Sequence, residues 1–190
     1  IYCIAQIEDI EPIEILTKSL SEMMRYSVNN KNMYATLAEE MHHVKAYVKI
    51  INIRYEDSIQ LVFEIPEELQ KACVVKLLLQ PLVENAIRYG LEENTEGCLI
   101  SISAEACPEK DQLIIYVKND GSAFEDDLLS KLENRQIEPH GFGIGLLNIQ
   151  KRMQLTYGEA YGLTLYNEEE LAVAKLVYPL KPVILSPDAE

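Results

Sequence analysis

The apolar residues in the first third of the chain recur every three or four positions, which is the spacing of an amphipathic helix. Residues 8–28 and 37–55 each show this pattern, and a polar break separates them. In the first stretch the apolar side carries Ile13, Leu16, Leu20, Met23 and Met24. In the second stretch it carries Met41, Val44, Tyr47, Val48, Ile51 and Tyr55. Two helices with apolar faces predict a helical hairpin, or a stem through which two copies of the chain pair.

The second of these helices also has a local start signal. Thr36 is followed three positions later by Glu39. In a capping box of this spacing, each side chain bonds the backbone amide of the other residue. The sequence therefore predicts that the helix begins at residue 37.

The rest of the chain mixes the patterns of strands and helices. Alternating apolar and polar residues predict strands at 59–65, 99–106, 112–118, 163–167 and 171–178. Helical spacing predicts helices at 74–91, 125–132 and 144–157. Strands that pair through hairpins, with helices set to one side, predict an α+β fold. We expect a two-layer α/β sandwich, in which three helices cover a mixed, mostly antiparallel sheet, with the two-helix hairpin as a stem before it.

The charge and the cysteine content of the chain exclude some classes of ligand and binding partner. The 190 residues carry 31 acidic and 17 basic side chains, a net charge of −14. This acidity argues against general binding of nucleic acid and against direct contact with an anionic membrane. The four cysteines show neither a Cys-x-x-Cys motif nor paired histidine spacing, which favours free thiols over a zinc site.

The helix predicted at 74–91 contains the motif Leu79-Gln-Pro-Leu-Val-Glu-Asn-Ala-Ile-Arg-Tyr-Gly90. Asn85, Arg88 and Tyr89 are spaced so that they share one sector of this helix. The Asn85 carboxamide can offer a neutral oxygen to Mg²⁺, which bridges phosphates and keeps some of its waters. Arg88 is either a partner for phosphate oxygens or a solvated surface charge.

A second motif, Gly141-Phe-Gly-Ile-Gly-Leu-Leu-Asn-Ile149, is predicted to be a glycine-rich turn that runs into a helix. Glycine allows the backbone to approach a ligand closely. The start of a helix offers free N–H groups and the positive end of the helix dipole. We therefore expect Gly141, Gly143 and Gly145 to surround nucleotide phosphates.

Taken together and in this order, the two motifs resemble the ATP-binding domain of two-component sensor histidine kinases. They are most similar to the LytS/YesM-like branch, which pairs Leu-Gln-Pro-Leu-Val-Glu-Asn-Ala with Gly-Ile-Gly-Leu-x-Asn-Ile-x-x-Arg. The likeness covers residues 10–182. It implies the fold shared with gyrase and the heat-shock chaperone ATPases, and it implies ATP (or ADP) and Mg²⁺ as ligands.

The resemblance also implies roles for single residues. Asn85 would be the metal ligand, and Glu84 would polarise a water or the incoming histidine as the catalytic acidic residue. Tyr89 would stack near the base or pack against a lid formed by residues 133–142. Arg152 would be a structural residue, which either extends its charged end to solvent or caps the chain near Tyr157-Gly158.

Two segments depart from the family pattern. The family has Val-x-Asp-Asn-Gly-x-Gly, whereas this chain has Asn119 at the Asp place, followed by Asp120 and Gly121. An Asn carbonyl can still accept the adenine amino hydrogen, but more weakly. Near the end, Leu171-Ala172-Val173 fills the place of Gly-Thr-Thr, so one hydrogen bond to adenine is expected to be absent.

The resemblance implies a division of the chain and a set of partners. Residues 1–56 would be a helical remnant of the dimerisation and phosphoacceptor region, 57–182 the ATP-binding catalytic domain, and 183–190 a loose tail. The expected partners are a cognate response regulator and a second copy bound through the N-terminal helices. The setting would be the cytoplasmic portion of a membrane-anchored bacterial sensor.

In the family that the chain resembles, the γ-phosphoryl group of ATP is transferred to a histidine and then to an aspartate of a response regulator. This reaction needs a phosphoacceptor histidine. The acceptor motif Pro-His-Phe-Leu-Phe-Asn is absent from the chain, and we expect it to lie upstream of Ile1. His42 and His43 do not lie in such a motif, and His140 lies in the predicted lid, so their roles stay open.

Two alternatives use the same fold. A module that hydrolyses ATP would have a catalytic Glu four residues before Asn85, where this chain has Pro81. A degenerate, non-catalytic module for nucleotide binding or dimerisation is kept open by Asn119 and by Leu171-Ala172.

Overall fold

A sheet forms one layer of the molecule and helices form the other. The computed structural model describes residues 1–8, 10–28, 33–93, 97–134, 136 and 142–180. In chain order the elements are α1 (Tyr2–Ile7), α2 (Glu11–Val28), β1 (Tyr34–Thr36), α3 (Leu37–Arg54), β2 (Ile59–Glu64), a short 3₁₀ helix (Glu67–Lys71), β3 (Cys73–Val75), α4 (Leu79–Glu93), β4 (Cys98–Cys107), a 3₁₀ turn (Pro108–Lys110), β5 (Gln112–Asn119), α5 (Leu128–Glu133), α6 (Phe142–Tyr157), β6 (Gly162–Glu168) and β7 (Leu171–Pro179).

The main sheet has five strands in the order β2-β4-β5-β7-β6. The β2–β4 pair is parallel, and the other three pairs are antiparallel. Both predicted hairpins, β4–β5 and β6–β7, are present. The α+β class and the mostly antiparallel sheet are therefore confirmed.

The hydrophobic core lies between this sheet and α3, α4 and α6. Helices α4 and α6 pack on the strands, and α3 packs on α4 and beside β2. Leu37 and Val44 of α3 are fully buried in the same cluster as Ile100 of β4 and Leu176 of β7. The predicted domain boundary near residue 57 thus separates residues that share one continuous core. The boundary itself stays a prediction.

Helix α2 lies outside that core. It packs along α3, and Ser19 is its one buried residue. Its apolar stripe remains 38 to 57% exposed, at Ile13, Leu16, Leu20 and Met24. Of the two helices of the predicted hairpin, α3 is therefore part of the core, whereas α2 keeps an exposed apolar face.

The capping box that begins α3 is confirmed. The Glu39 amide donates to Thr36 Oγ1 at 3.2 Å, and the Thr36 amide donates to Glu39 Oε2 at 2.7 Å. At the other end, Tyr55 is the C-cap residue and is 36% exposed, so its predicted inward position is wrong.

Other element bounds also differ from expectation. The helix predicted from residue 8 begins at Glu11, after the separate helix α1. The helix predicted from residue 74 begins at Leu79, because Cys73–Val75 pairs with Tyr34–Thr36 as a small two-stranded sheet. The helix predicted at 125–132 is Leu128–Glu133. Within the described ranges, no helix is both long and apolar enough to cross a bilayer.

Candidate functional site

Helix α4 buries one polar side chain among its apolar residues. Leu82, Val83, Ala86 and Ile87 are buried, as the periodicity predicted. Asn85 is 3% exposed, although it lies in the middle of the helix. Asn is a weak helix former and is seldom buried. Its place here therefore favours a role beyond helix stability.

The end of β5 lies directly against the C-terminal half of α4. A Cβ atom on Gly121 would lie 2.4 Å from the Gly90 Cα and 2.5 Å from the Tyr89 carbonyl oxygen. The Ser122 amide donates to the same Tyr89 carbonyl at 3.3 Å. Glycine at 121 therefore permits a backbone-to-backbone contact that fixes the end of β5 beside the helix of Asn85.

Asn119, the last residue of β5, is 3% exposed. Within the described part of the chain, its Nδ2 atom has no hydrogen-bond partner. Ala172 stands opposite it in the sheet and is 1% exposed. The two departures from the family pattern therefore lie side by side. A buried amide donor without a partner is costly, so a ligand atom that accepts from it would be stabilising.

The start of α6 lies beside the start of α4. A Cβ atom on Gly145 would lie 3.5 Å from the Pro81 Cβ, which is an ordinary packing distance. Gly143 and Gly145 belong to the first turn of α6, which begins at Phe142. The helix predicted from residue 144 thus begins two residues earlier, and the predicted glycine-rich turn is wrong at Gly143, because the helix runs through it. Gly141, His140 and most of the predicted lid lie outside the described residues.

Glu84 is half-buried and faces α3. Its Oε1 atom accepts a hydrogen bond from Gln80 Nε2 at 2.7 Å. Burial, followed by the charge of Glu84, raises the pKa of Tyr47 on α3 to about 12. Tyr47 therefore stays protonated near neutral pH, beside a carboxylate that precedes Asn85 by one residue.

Arg88 and Tyr89 lie one turn beyond Asn85. Arg88 is exposed, and its guanidinium carbon is 6.0 Å from the centre of the Tyr89 ring. The Tyr89 ring meets Phe124 edge to face, at 6.2 Å between centroids. Tyr89 thus packs against the segment that follows β5.

Glu40 is a residue that the sequence reasoning missed. It is 1% exposed, and its carboxylate accepts from the amides of Leu77, Leu78 and Leu79 at 2.7, 3.1 and 3.1 Å. The Tyr26 hydroxyl donates to the same carboxylate. These bonds hold the first turn of α4. A signal was present, because Glu40 is three residues after Leu37 and four before Val44, on the apolar side of its helix.

Comparison with known proteins identifies this arrangement. Residues 1–59 match the model of the "Histidine kinase" family. Residues 74–174 match "Histidine kinase-, DNA gyrase B-, and HSP90-like ATPase". The sensor histidine kinase YesM of Bacillus subtilis (strain 168) is 34% identical over 167 residues, which is 88% of this chain and 27% of YesM. The chain belongs to the histidine kinase family.

Within that family, the chain falls in the LytS/YesM-like branch. The sensor protein LytS of Oceanobacillus iheyensis is 27% identical over 177 residues, which is 91% of this chain and 30% of LytS. The chain thus spans less than a third of the length of these two relatives.

Solved structures agree on the fold. The catalytic domain of histidine kinase ThkA superposes with a TM-score of 0.61 at 22% identity, over 78% of this chain and 95% of that one. ThkA in complex with the response regulator protein TrrA superposes with a TM-score of 0.57 at 20% identity, over 91% of this chain and 49% of that one.

Two further predictions from the sequence can be compared with the structure. Arg152 Nη2 donates to the Lys76 carbonyl oxygen at 2.7 Å, which agrees with its predicted structural role, although this bond is to the segment before α4 rather than to Tyr157-Gly158. All four cysteines are free thiols, as expected. Cys98 is buried, and burial, with the charge of Asp120, raises the pKa of its thiol to about 12.

Proposed function

We propose that the chain is the ATP-binding catalytic part of a sensor histidine kinase. It would transfer the γ-phosphoryl group of Mg-ATP to a histidine, for relay to an aspartate of a response regulator. One observation carries this proposal: the Gly90–Gly121 contact fixes Asn119 of β5 beside the helix that buries Asn85, and Asn119 Nδ2 has no hydrogen-bond partner among the described residues.

The phosphate half of the site would use α4 and α6. Asn85 would supply a neutral oxygen to Mg²⁺, a cation that commonly binds through one or two protein ligands plus phosphates and water. The bound metal would neutralise charge on the phosphates. The free N–H groups at the start of α6, around Gly143 and Gly145, would hold phosphate oxygens, as Gly141 would from the preceding segment. Arg88 would add a positive charge in a chain with few of them.

The adenine half would use Asn119 and Gly121, with Tyr89 packed near the base. A carboxamide both accepts and donates. Asn119 could accept from the adenine amino group and could donate, through Nδ2, to a neighbouring ring nitrogen. Ala172 offers no hydroxyl to the base, so we expect ATP to bind more weakly than at a site with both family residues, by about 1 kcal/mol per lost hydrogen bond.

Glu84 would act on the incoming imidazole, holding its proton as the phosphoryl group arrives. His43 is 2% exposed, and the exposed His42 has its Nε2 atom 3.4 Å from Glu22 Oε2. Neither lies in the acceptor motif, so we propose that a histidine outside this chain is phosphorylated.

We also propose the partners and the setting. The ThkA–TrrA complex supports a response regulator as the protein partner. Free cysteines and the use of ATP suit the cytoplasmic part of a bacterial sensor.

Mg-ATP should bind to the chain. Asn85→Ala should remove the part of the affinity that depends on Mg²⁺, so that the Kd for Mg-ATP rises about tenfold or more, as expected for a lost bond to a charged group. Isothermal titration with Mg²⁺ and with EDTA measures both quantities. Gln60→Ala, on the exposed edge strand β2, is the control and should bind as the wild type does. Absence of heat at millimolar Mg-ATP would favour the degenerate-module alternative.

The open stripe of α2 should pair with a second copy of the chain. Leu16 and Leu20 are 39% and 48% exposed, and burying them across a two-fold axis would stabilise a dimer. We expect Leu16→Glu with Leu20→Glu to give monomers in analytical ultracentrifugation. Val62→Glu, a 41% exposed position on β2, should leave the dimer intact. A dimer that persists in the double variant would place the interface elsewhere.

A further inference from the structure

A partly buried chain of hydrogen bonds runs from Glu84 into α3. Gln80 Nε2 donates to Glu84 Oε1 at 2.7 Å, and Gln80 Oε1 is 2.6 Å from His43 Nε2. An ionised carboxylate only accepts, so the Gln80 amino group must face Glu84 and its oxygen must face His43. His43 therefore carries its proton on Nε2 and donates it.

This arrangement leaves a polar atom of His43 unsatisfied. The residue is 2% exposed, and its Nδ1 atom has no hydrogen-bond partner within the described ranges. A buried acceptor without a partner is destabilising, whereas a phenylalanine of similar shape would avoid that cost. The imidazole thus makes its bond to Gln80 at the cost of an unpaired Nδ1, which favours a role for that bond beyond stability.

Tyr26 of α2 holds the imidazole from the other side. The two rings lie 4.6 Å apart between centroids, with an angle of 31° between their planes. The Tyr26 hydroxyl donates to Glu40, which also binds the start of α4. The Tyr26 ring therefore holds His43 in place. Through Tyr26 and Glu40, His43 is also held in position relative to α4, which carries Gln80 and Glu84.

We propose that His43 and Gln80 are positioning residues that hold the Glu84 carboxylate in the orientation from which it meets the incoming imidazole. This inference rests on the role proposed above for Glu84. Neither residue touches the reacting atoms. The donated Nε2–H fixes the Gln80 amide, and the amide in turn fixes one carboxylate oxygen, leaving the other free to act.

The test uses the full-length kinase, in which these residues and the acceptor histidine are present together. His43→Phe and Gln80→Met keep the side-chain volumes but remove the hydrogen bonds. We expect each to lower the maximal rate of autophosphorylation roughly 10- to 100-fold, the scale of a misplaced reacting group, with the KM for ATP unchanged. His43→Gln should restore most of the rate, because its amide can donate to Gln80.

Controls separate this inference from the role of Glu84. His42→Phe makes the same change at the adjacent, exposed histidine and should leave the rate as it is. Glu84→Gln should abolish most transfer, and adding His43→Phe to it should cost little more, since both act through one carboxylate. Urea unfolding of each variant checks that the fold is kept.

The outcomes are distinct. Full activity of Glu84→Gln would overturn the role of Glu84 and this inference with it. Loss of activity in Glu84→Gln, together with normal rates in folded His43→Phe and Gln80→Met, would overturn the positioning role alone. A loss confined to the KM for ATP would also overturn it, because it would place the network in nucleotide binding.

Discussion

Replacing Gly121 with alanine is expected to lower the free energy of unfolding by about 3 kcal/mol, the upper end of the usual cost of overpacking. The added methyl would meet three backbone atoms within 2.5 Å, on Tyr89 and Gly90, and backbone cannot swing aside as a flexible side chain can. Gly121 is not among the glycines with positive φ, so the loss would come from this contact rather than from backbone strain.

Urea unfolding measures the effect as a lower midpoint with an unchanged slope. Gly145→Ala is the matched control, since among the described residues its new methyl would meet only Pro81 Cβ, at 3.5 Å. Alanine is the better helix former, so this control should be neutral or slightly stabilising. Equal midpoints for Gly121→Ala and the wild type would show that β5 and α4 are not held in backbone contact.

Replacing Glu40 with alanine is expected to lower the free energy of unfolding by about 4 kcal/mol or more, because it leaves four donors, two of them buried and two partly buried, without this acceptor. Those donors are the amides of residues 77–79 and the Tyr26 hydroxyl. Leu77 also has a φ of +60°, a conformation that costs a non-glycine residue about 1 kcal/mol or more and that the Glu40 bond helps to hold.

The same urea experiment, with near-UV circular dichroism, follows this change. Glu40→Gln keeps one acceptor oxygen and should lie between alanine and the wild type. Glu168→Gln removes a carboxylate that pairs with Lys118 on the surface, at 2.9 Å, and should change stability little. If Glu40→Ala unfolded at the wild-type midpoint, the start of α4 would be held by its packing alone.

Periodic and local signals allowed much of the fold to be predicted. The apolar stripe of α4, the hairpins of the main sheet and the Thr36 capping box all depend on residues close together in sequence. Strands β1 and β3 were missed because each has three residues, too few to show alternation. In the site, the motif residues were named, and their roles as ligands stay predictions.

The supporting residues of the site were harder to predict. Glu40 and the amides it binds are 37 to 39 residues apart, and no local pattern reports such a pairing. From the sequence, His43 could be considered only as a possible phosphoacceptor. Its burial and its bond to Gln80, also 37 residues away, became visible only once α3 was placed on α4.

The burial of α3 in the core has a consequence for sensor chimeras. Consider a foreign input module joined at the predicted domain boundary, near residue 57. Such a fusion would discard Leu37, Val44 and Val48 from the core, together with Glu40 from the start of α4. A junction upstream of β1 keeps them, so chimeras joined before Tyr34 should be the ones that fold and respond.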